Sequence, residues 1–213
     1  YSHIFIIPSD GGTPRKLTNG NFNHDGPLSW RPDGSGLFFS SNRNPDWEYE
    51  AIERDIYFIS IGDGKLLHIT EQSGGESMPV VSPDGKYLAY VFDDGRKIPY
   101  RNKILKYIIL DDSTDKSLTE NLDRSVSNIK WSDDSKGIYF TYDDQGNRKV
   151  AYTTLKGKFK TVVDSLGGNS LGRPYLSGSY TVSKKNLVAY THGTTLRPAD
   201  VAVSDQKEVR ILT

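Results

Sequence analysis

A serine sits between glycines at Gly168-Asn169-Ser170-Leu171-Gly172, the G-x-S-x-G spacing that presents a nucleophilic hydroxyl on a sharp strand-to-helix turn. Acyl transfer at such a serine also needs a general base oriented by an acid. Pro174 follows two residues after the second glycine and opposes a helix there. The only later histidine is His192. The stretch therefore reads as a loop between repeats, with no catalytic residue. The histidines, His3, His24, His68 and His192, are scattered and lack the i, i+4 spacing of a zinc-binding helix, so surface or turn roles are expected. Asp93-Asp94-Gly95 and Asp143-Asp144-Gln145-Gly146 resemble pieces of a calcium loop. Neither supplies the later bidentate glutamate, and both read as acidic hairpin turns. No metal and no cofactor is expected.

The most unusual chemistry lies in Ser41-Asn42-Arg43-Asn44-Pro45-Asp46-Trp47-Glu48-Tyr49-Glu50-Ala51-Ile52-Glu53-Arg54, which lengthens one hairpin. Exposed aromatic faces at Trp47 and Tyr49, between the carboxylates of Glu48, Glu50 and Glu53, can hold a cationic group such as a peptide amino terminus. Trp47, Glu48, Tyr49 and Glu50 are the candidate substrate contacts. The competing reading is a solvated loop packed on the neighbouring repeat. Arg96, Lys97, Arg101, Asn102 and Lys103 form a basic stretch in the corresponding loop of the next repeat and are expected to be a solvated connection.

The elements that must position these loops come from self-similarity. Leu28-Ser29-Trp30-Arg31-Pro32-Asp33-Gly34 is echoed by Pro79-Val80-Val81-Ser82-Pro83-Asp84-Gly85, by Ile129-Lys130-Trp131-Ser132-Asp133-Asp134-Ser135, and more faintly by Tyr180-Thr181-Val182-Ser183-Lys184-Lys185-Asn186. The equivalent residues Leu37, Leu88, Ile138 and Val188 recur at intervals of 51, 50 and 50 residues. Pro fixes φ at the first corner of a tight turn, Asp bonds its own backbone, and Gly takes the left-handed site. After each turn comes an apolar run and a second hairpin, clearest at Asp55 to Thr70. That predicts four antiparallel strands per repeat, the build of a propeller blade. The fold class is all-β: a β-propeller segment of about four and a half blades, with a half-blade at 1–18 and blades at about 27–70, 77–119, 126–163 and 176–213. Its period is slightly longer than that of a WD repeat. Trp30, Phe38, Val81, Ala89, Trp131 and Tyr139 are expected to pack between neighbouring blades. No linker divides the chain, so 1–213 reads as one domain.

Bulk composition narrows the partners. Lys plus Arg and Asp plus Glu each number 27 in 213 residues, so no global field draws the chain to nucleic acid or to an acidic membrane. Cysteine is absent, which excludes disulfides and thiolate metal sites and leaves the compartment open between cytoplasm and periplasm. The longest apolar runs, such as Ile104 to Leu110, are far short of a bilayer span. The chain begins Tyr1-Ser2-His3 and its only methionine is Met78, so it reads as a segment excised from a longer protein.

With the turn motifs, Asp55-Ile56-Tyr57, and the closing Leu17-Thr18, Ile69-Thr70 and Leu212-Thr213 aligned, nearly the whole chain resembles TolB-like propeller repeats. Such repeats occur in TolB itself and in the amino-terminal propellers of prolyl oligopeptidase family enzymes. Phe39-Ser40-Ser41-Asn42-Arg43-Asn44-Pro45-Asp46 with the acidic insertion, and Leu196-Arg197-Pro198-Ala199-Asp200-Val201-Ala202-Val203, resemble acylaminoacyl-peptidase-like members. The resemblance implies a ring of seven or eight blades and a carboxy-terminal α/β-hydrolase domain in the same parent chain. It also implies a peptide substrate selected by the propeller. The family's catalytic residues lie in that further domain and map onto no position here. An open arc would leave blade edges able to self-associate. A TolB-like protein-binding module without enzymatic activity is the alternative.

Overall fold

The computed structural model describes residues 1–96, 98, 100–168, 178–194, 196–205 and 207–213. Among them there are strands and turns but no helix, hence none long and apolar enough to cross a membrane. Each repeat folds as a simple up-and-down meander. The first sheet is the pair β1 (Phe5–Ile6) and β2 (Arg15–Lys16). The second has the order β3 (Ser29–Trp30), β4 (Gly36–Ser41), β5 (Asp55–Ser60), β6 (Leu66–His68). The third comprises β7 (Gly75–Val81), β8 (Tyr87–Asp93), β9 (Ile104–Ile109) and β10 (Thr114–Ser117). The fourth contains β11 (Val126–Trp131), β12 (Gly137–Asp144), β13 (Asn147–Thr154) and β14 (Phe159–Val163). The last consists of β15 (Tyr180–Val182), β16 (Val188–Thr194), β17 (Arg197–Ser204) and β18 (Val209–Ile211). Residues of the G-x-S-x-G stretch from 169 onward lie outside the described residues.

The turn joining the first two strands of each full sheet shows why the repeat motif tolerates wear. The fourth letter of the motif takes positive φ in every copy: 72° at Gly34, 73° at Gly85, 57° at Ser135 and 58° at Asn186. Glycine adopts this conformation without steric cost, and asparagine tolerates it better than most side chains. Asp33 completes its turn by accepting the Ser35 N–H at 2.9 Å, and Asp134 accepts the Lys136 N–H at 3.2 Å. The closing threonine also has a fixed task. Thr18 Oγ1 accepts the Ile4 N–H at 2.9 Å, Thr70 Oγ1 that of Ile56 at 2.8 Å, and Thr213 Oγ1 that of Val201 at 2.9 Å. Each hydroxyl fastens the end of an outer hairpin to its beginning and satisfies a strand N–H that the ladder leaves over.

The chain packs as two compact units, Tyr1–Val81 with Gly85–Lys116, and Ser82–Asp84 with Ser117–Thr213. In the first unit β4 is buried on both faces, and Leu37, Phe38 and Phe39 at its centre are accordingly apolar without alternation. Leu37 and Phe39 point with Tyr57 and Ile59 toward Ile4 and Leu17 of the first sheet. Phe38 and Phe58 point the other way, onto Val81, Leu88 and Tyr90 of the third. In the second unit Tyr139, Val150 and Val163 pack on Tyr180, Val188 and Ala202. Each of these large side chains contributes about 1.5–3 kcal/mol of transfer free energy.

Five of the six residues expected between blades are buried: Phe38, Val81, Ala89, Trp131 and Tyr139. Trp30 is not; it is 52% exposed. It pairs with Leu37 and so shares the face turned to the first sheet. Among the described residues that sheet has the two outer strands β1 and β2, and no strand equivalent to β3 lies over the indole.

Candidate functional site

The insertion between β4 and β5 is built by its own side chains. Asn42 Oδ1 accepts the Asn44 N–H at 3.2 Å, Asn44 Oδ1 accepts the Asp46 N–H at 3.1 Å, and Asn42 Nδ2 donates to the Glu50 carbonyl at 2.7 Å. These Asx turns wind the loop tightly. Its polar tip is presented to solvent: Tyr49 is 81% exposed and Glu48 is exposed. Trp47, expected to be exposed, is half-buried with its ring centroid 6.3 Å from that of Tyr1 in an edge-to-face pair, and Glu50 is half-buried. Glu53 faces inward and accepts the Gly74 N–H at 3.0 Å.

The far end of the insertion is stitched to β7. Arg54 N–H donates to Gly74 O at 3.1 Å, Glu76 N–H donates to Arg54 O at 2.6 Å, and Arg54 forms a parallel bridge with Gly75. Only glycine permits this crossing. A Cβ at Gly75 would stand 2.6 Å from Ile52 O, and one at Gly74, whose φ is +122°, would stand 2.3 Å from Asp93 O. Beside the crossing lies a cavity of about 320 Å³, walled by Ile52 and Arg54, by Ser77 of β7, and by Asp93, Arg101 and Lys103 of the β8–β9 connection. The candidate contacts Trp47, Glu48, Tyr49 and Glu50 lie on the same loop but do not line it.

In the basic stretch Arg96 and Lys103 are exposed, as expected of a solvated connection, Lys97 lies outside the described residues, and Arg101 is half-buried. The Arg101 guanidinium grips the Asp93 carboxylate through Nε and Nη2. Lys103 Nζ lies 4.0 Å from the same carboxylate. A planar guanidinium matches a carboxylate edge-on, so Arg101 forms a fixed wall.

The acidic turns are neutralised from within. Asp94 pairs with Arg96, Asp143 with Arg148, and Asp144 with Arg124 at 3.0 Å and Lys149 at 3.0 Å. The hydrogen bond from Lys149 holds the Asp144 carboxyl below its ordinary pKa and raises that of the lysine. Among the described residues no cluster of three or more His, Asp or Glu could hold a metal. His68 has both ring nitrogens engaged, by Asp55 at 2.9 Å and Glu71 at 3.4 Å, and stacks on Tyr57 at 4.7 Å. His3 and His24, distant in sequence, stack at 5.3 Å. The His24 Nε2 faces the Arg43 guanidinium and must accept from it, so Nδ1–H donates to Ser2 O at 3.1 Å. Burial lowers the His24 pKa, consistent with the neutral ring.

Behind the cavity is a polar cluster that no sequence motif announces. Between Gly75 and Ser77 the strand turns Glu76 inward, where it is fully buried and neither carboxylate oxygen has a hydrogen-bond partner among the described residues. Burial, and then the nearby Asp55 carboxylate, pushes its pKa up to about 8. In the same interior Tyr90 OH donates to Asp115 Oδ1 at 2.7 Å, Gln72 Nε2 donates to Tyr90 OH at 3.1 Å, and Lys106 Nζ donates to Gln72 Oε1 at 2.6 Å. Lys106 also pairs with Asp115 and lies 4.7 Å over the Phe92 ring. A lysine inside the apolar run Ile104-Leu105-Lys106-Tyr107-Ile108-Ile109 is the sequence signal that could have found it.

Meander sheets with left-handed turns and threonine fastenings are the build of β-propeller blades, a fold the chain shares with the solved TolB of Acinetobacter baumannii, at a TM-score of 0.63 and 19% identity over 98% of this chain and 48% of that one. Residues 1–100 match the family model described as "Dipeptidyl peptidase IV (DPP IV) N-terminal region". The chain is 30% identical over 140 residues to dipeptidyl-peptidase 5 of Porphyromonas gingivalis, covering 63% of this chain and 20% of that protein. It is 27% identical over 168 residues to the Tol-Pal system protein TolB of Francisella tularensis subsp. tularensis, covering 77% of this chain and 35% of the relative. It thus spans between a fifth and about a third of these curated relatives. The solved structure of a puromycin hydrolase superposes with a TM-score of 0.73 at 15% identity, covering all of this chain and 35% of that one. The chain is accordingly similar to the propeller regions of prolyl oligopeptidase family peptidases and to TolB.

Proposed function

We propose that the chain is a non-catalytic propeller domain of a serine peptidase of acylaminoacyl- or dipeptidyl-peptidase type, which gates and selects peptides for an α/β-hydrolase domain of the same parent chain. The observation that carries this reading is the dipeptidyl peptidase match over residues 1–100, the segment that holds the insertion and, Arg101 and Lys103 excepted, the lining of the cavity. The bond-breaking chemistry, attack by an activated serine with the oxyanion held by preorganised donors, belongs to the hydrolase domain. This chain contributes exclusion and contact. In the proposed contact the Glu48 and Glu50 carboxylates take a peptide ammonium, with Trp47 and Tyr49 offering ring faces.

Two measurements test this. The coding sequence should continue past Thr213 into a strand, a G-x-S-x-G turn and a helix; a stop codon shortly after Thr213 favours the second reading below. In the full-length enzyme, Glu48→Ala and Glu50→Ala should each lower kcat/KM for peptides with a free amino terminus by about three- to ten-fold, mostly through KM, and spare amino-acetylated peptides. Equal kinetics on both peptide classes removes these residues from the contact.

The second reading is a TolB-like module that offers a propeller face to a protein partner and performs no chemistry. The TolB relative favours it by matching 77% of the chain. The single-domain reading of 1–213 as one arc of a seven- or eight-bladed ring stays part of the proposal, as does self-association through unpaired blade edges. Light scattering should then give a mass above that of one chain; a stable monomer excludes it.

A further inference from the structure

We infer that the cavity beside the Gly74–Gly75 crossing binds a carboxylate of the peptide substrate, either its terminal carboxyl group or an acidic side chain. This rests on the peptide-selecting reading for the class of ligand, but not for the sign of its charge. Three cations, Arg54, Arg101 and Lys103, line the cavity against one carboxylate, Asp93. Arg101 holds both oxygens of Asp93, and Lys103 stands 4.0 Å from the same carboxylate. Arg54 makes only a loose pair with Asp25, at 3.6 Å, and Asp25 is 58% exposed and screened by water. The Arg54 guanidinium makes no hydrogen bond among the described residues, so its planar fork can meet a carboxylate in bidentate fashion. Glu53, next to Arg54, accepts the Gly74 N–H at 3.0 Å and keeps its charge, but its carboxylate does not line the cavity.

The site is built rather than incidental. Arg54 is fixed through its own backbone, which bonds to Gly74 on one side and Glu76 on the other. Arg101 is fixed by Asp93 and by the Arg96 carbonyl. Arg101 therefore loses little side-chain freedom on binding, which is the main cost a surface arginine incurs when it captures an anion, and the Arg54 backbone is held in place beside it. Ile52 supplies an apolar wall, suited to the aliphatic part of a residue bearing the carboxylate. A volume of about 320 Å³ holds about one residue and not a folded chain, at the small end of ligand pockets.

The test uses the 213-residue chain in calorimetric titrations at low salt with an amino-acetylated dipeptide as its free acid and as its amide, and with inorganic phosphate as a bare anion. Acetylation takes Glu48 and Glu50 out of the comparison. The free acid should bind at least about ten-fold more tightly than the amide. Arg54→Gln should remove about ten-fold of the acid's affinity and leave the amide unchanged. Lys103→Gln gives the same readout should Arg54→Gln unfold the loop, with thermal midpoints reporting folding for both. Equal binding of acid and amide overturns the inference, as does an acid preference that survives both substitutions. Binding of phosphate without the peptide acid also overturns it. No cleavage is needed for the readout, so an acid preference stands even where the parent chain proves to have no hydrolase domain.

Discussion

Glu76→Gln should abolish most of a fall in stability that the wild-type chain suffers between about pH 5 and pH 8. Burial holds the folded-state pKa at about 8, against about 4.3 for an unperturbed glutamate. The folded state therefore keeps a proton that the unfolded state releases. The sign follows from linkage: the stabilising contribution of the protonated form is complete below the unfolded pKa and is lost as pH rises toward the folded one, at no more than about 1.4 kcal/mol per pH unit. Above pH 8 the chain has to bury a carboxylate whose two oxygens lack partners. Glutamine keeps the shape without the charge, so the variant should match wild type near pH 5 and exceed it by about 2–4 kcal/mol near pH 8.5. Urea unfolding across this range measures it, and parallel pH profiles for the two proteins would sink the idea. Gly75 and Ser77, which flank Glu76, line the cavity, so ionisation occurs directly behind its wall.

Asp115→Ala should be the most costly of the polar substitutions in the same interior, at about 2–3 kcal/mol. The Lys106 side chain is 10% exposed, and removing the carboxylate leaves its ammonium with Gln72, the Phe92 ring and the Glu76 carboxyl group nearby. Breaking a buried pair by deleting one partner costs about 3–5 kcal/mol; Asp115 is 28% exposed, and water reaching the site reduces that. Tyr90→Phe removes one donor and should cost about 1 kcal/mol. Denaturant midpoints distinguish the two, and an Asp115→Ala cost below about 0.5 kcal/mol would show that Lys106 is held by its other contacts.

The blades were legible because the signals that make them are local. A left-handed turn, an apolar run and a second hairpin fall within some fifty residues, and Leu37, Leu88, Ile138 and Val188 mark the period. The expectation for Trp30 failed because it assumed a complete neighbouring sheet, whereas burial of one face depends on strands contributed by another repeat. The insertion was visible as an interruption, but its cavity was not. Arg54, Ser77 and Arg101 come from three segments that meet only because Gly74 and Gly75 let two backbones touch. The stacked pair His3 and His24 and the interior set Gln72, Glu76, Tyr90, Lys106 and Asp115 likewise depend on how sheets are laid on one another, which no spacing along the chain encodes.

The threonine fastenings carry one consequence for how such a fold holds its pieces. Two-stranded sheets are marginal in water, yet β1 and β2 have the same internal clasp as a full sheet, with Thr18 closed on Ile4 at 2.9 Å and the Leu17 N–H on the Ile4 carbonyl at 2.9 Å. The smallest self-closing element of the repeat is therefore the latched outer hairpin, not the four-stranded blade. Because each latch closes within one repeat, the outer hairpin of a blade is held by bonds that do not depend on the neighbouring repeat.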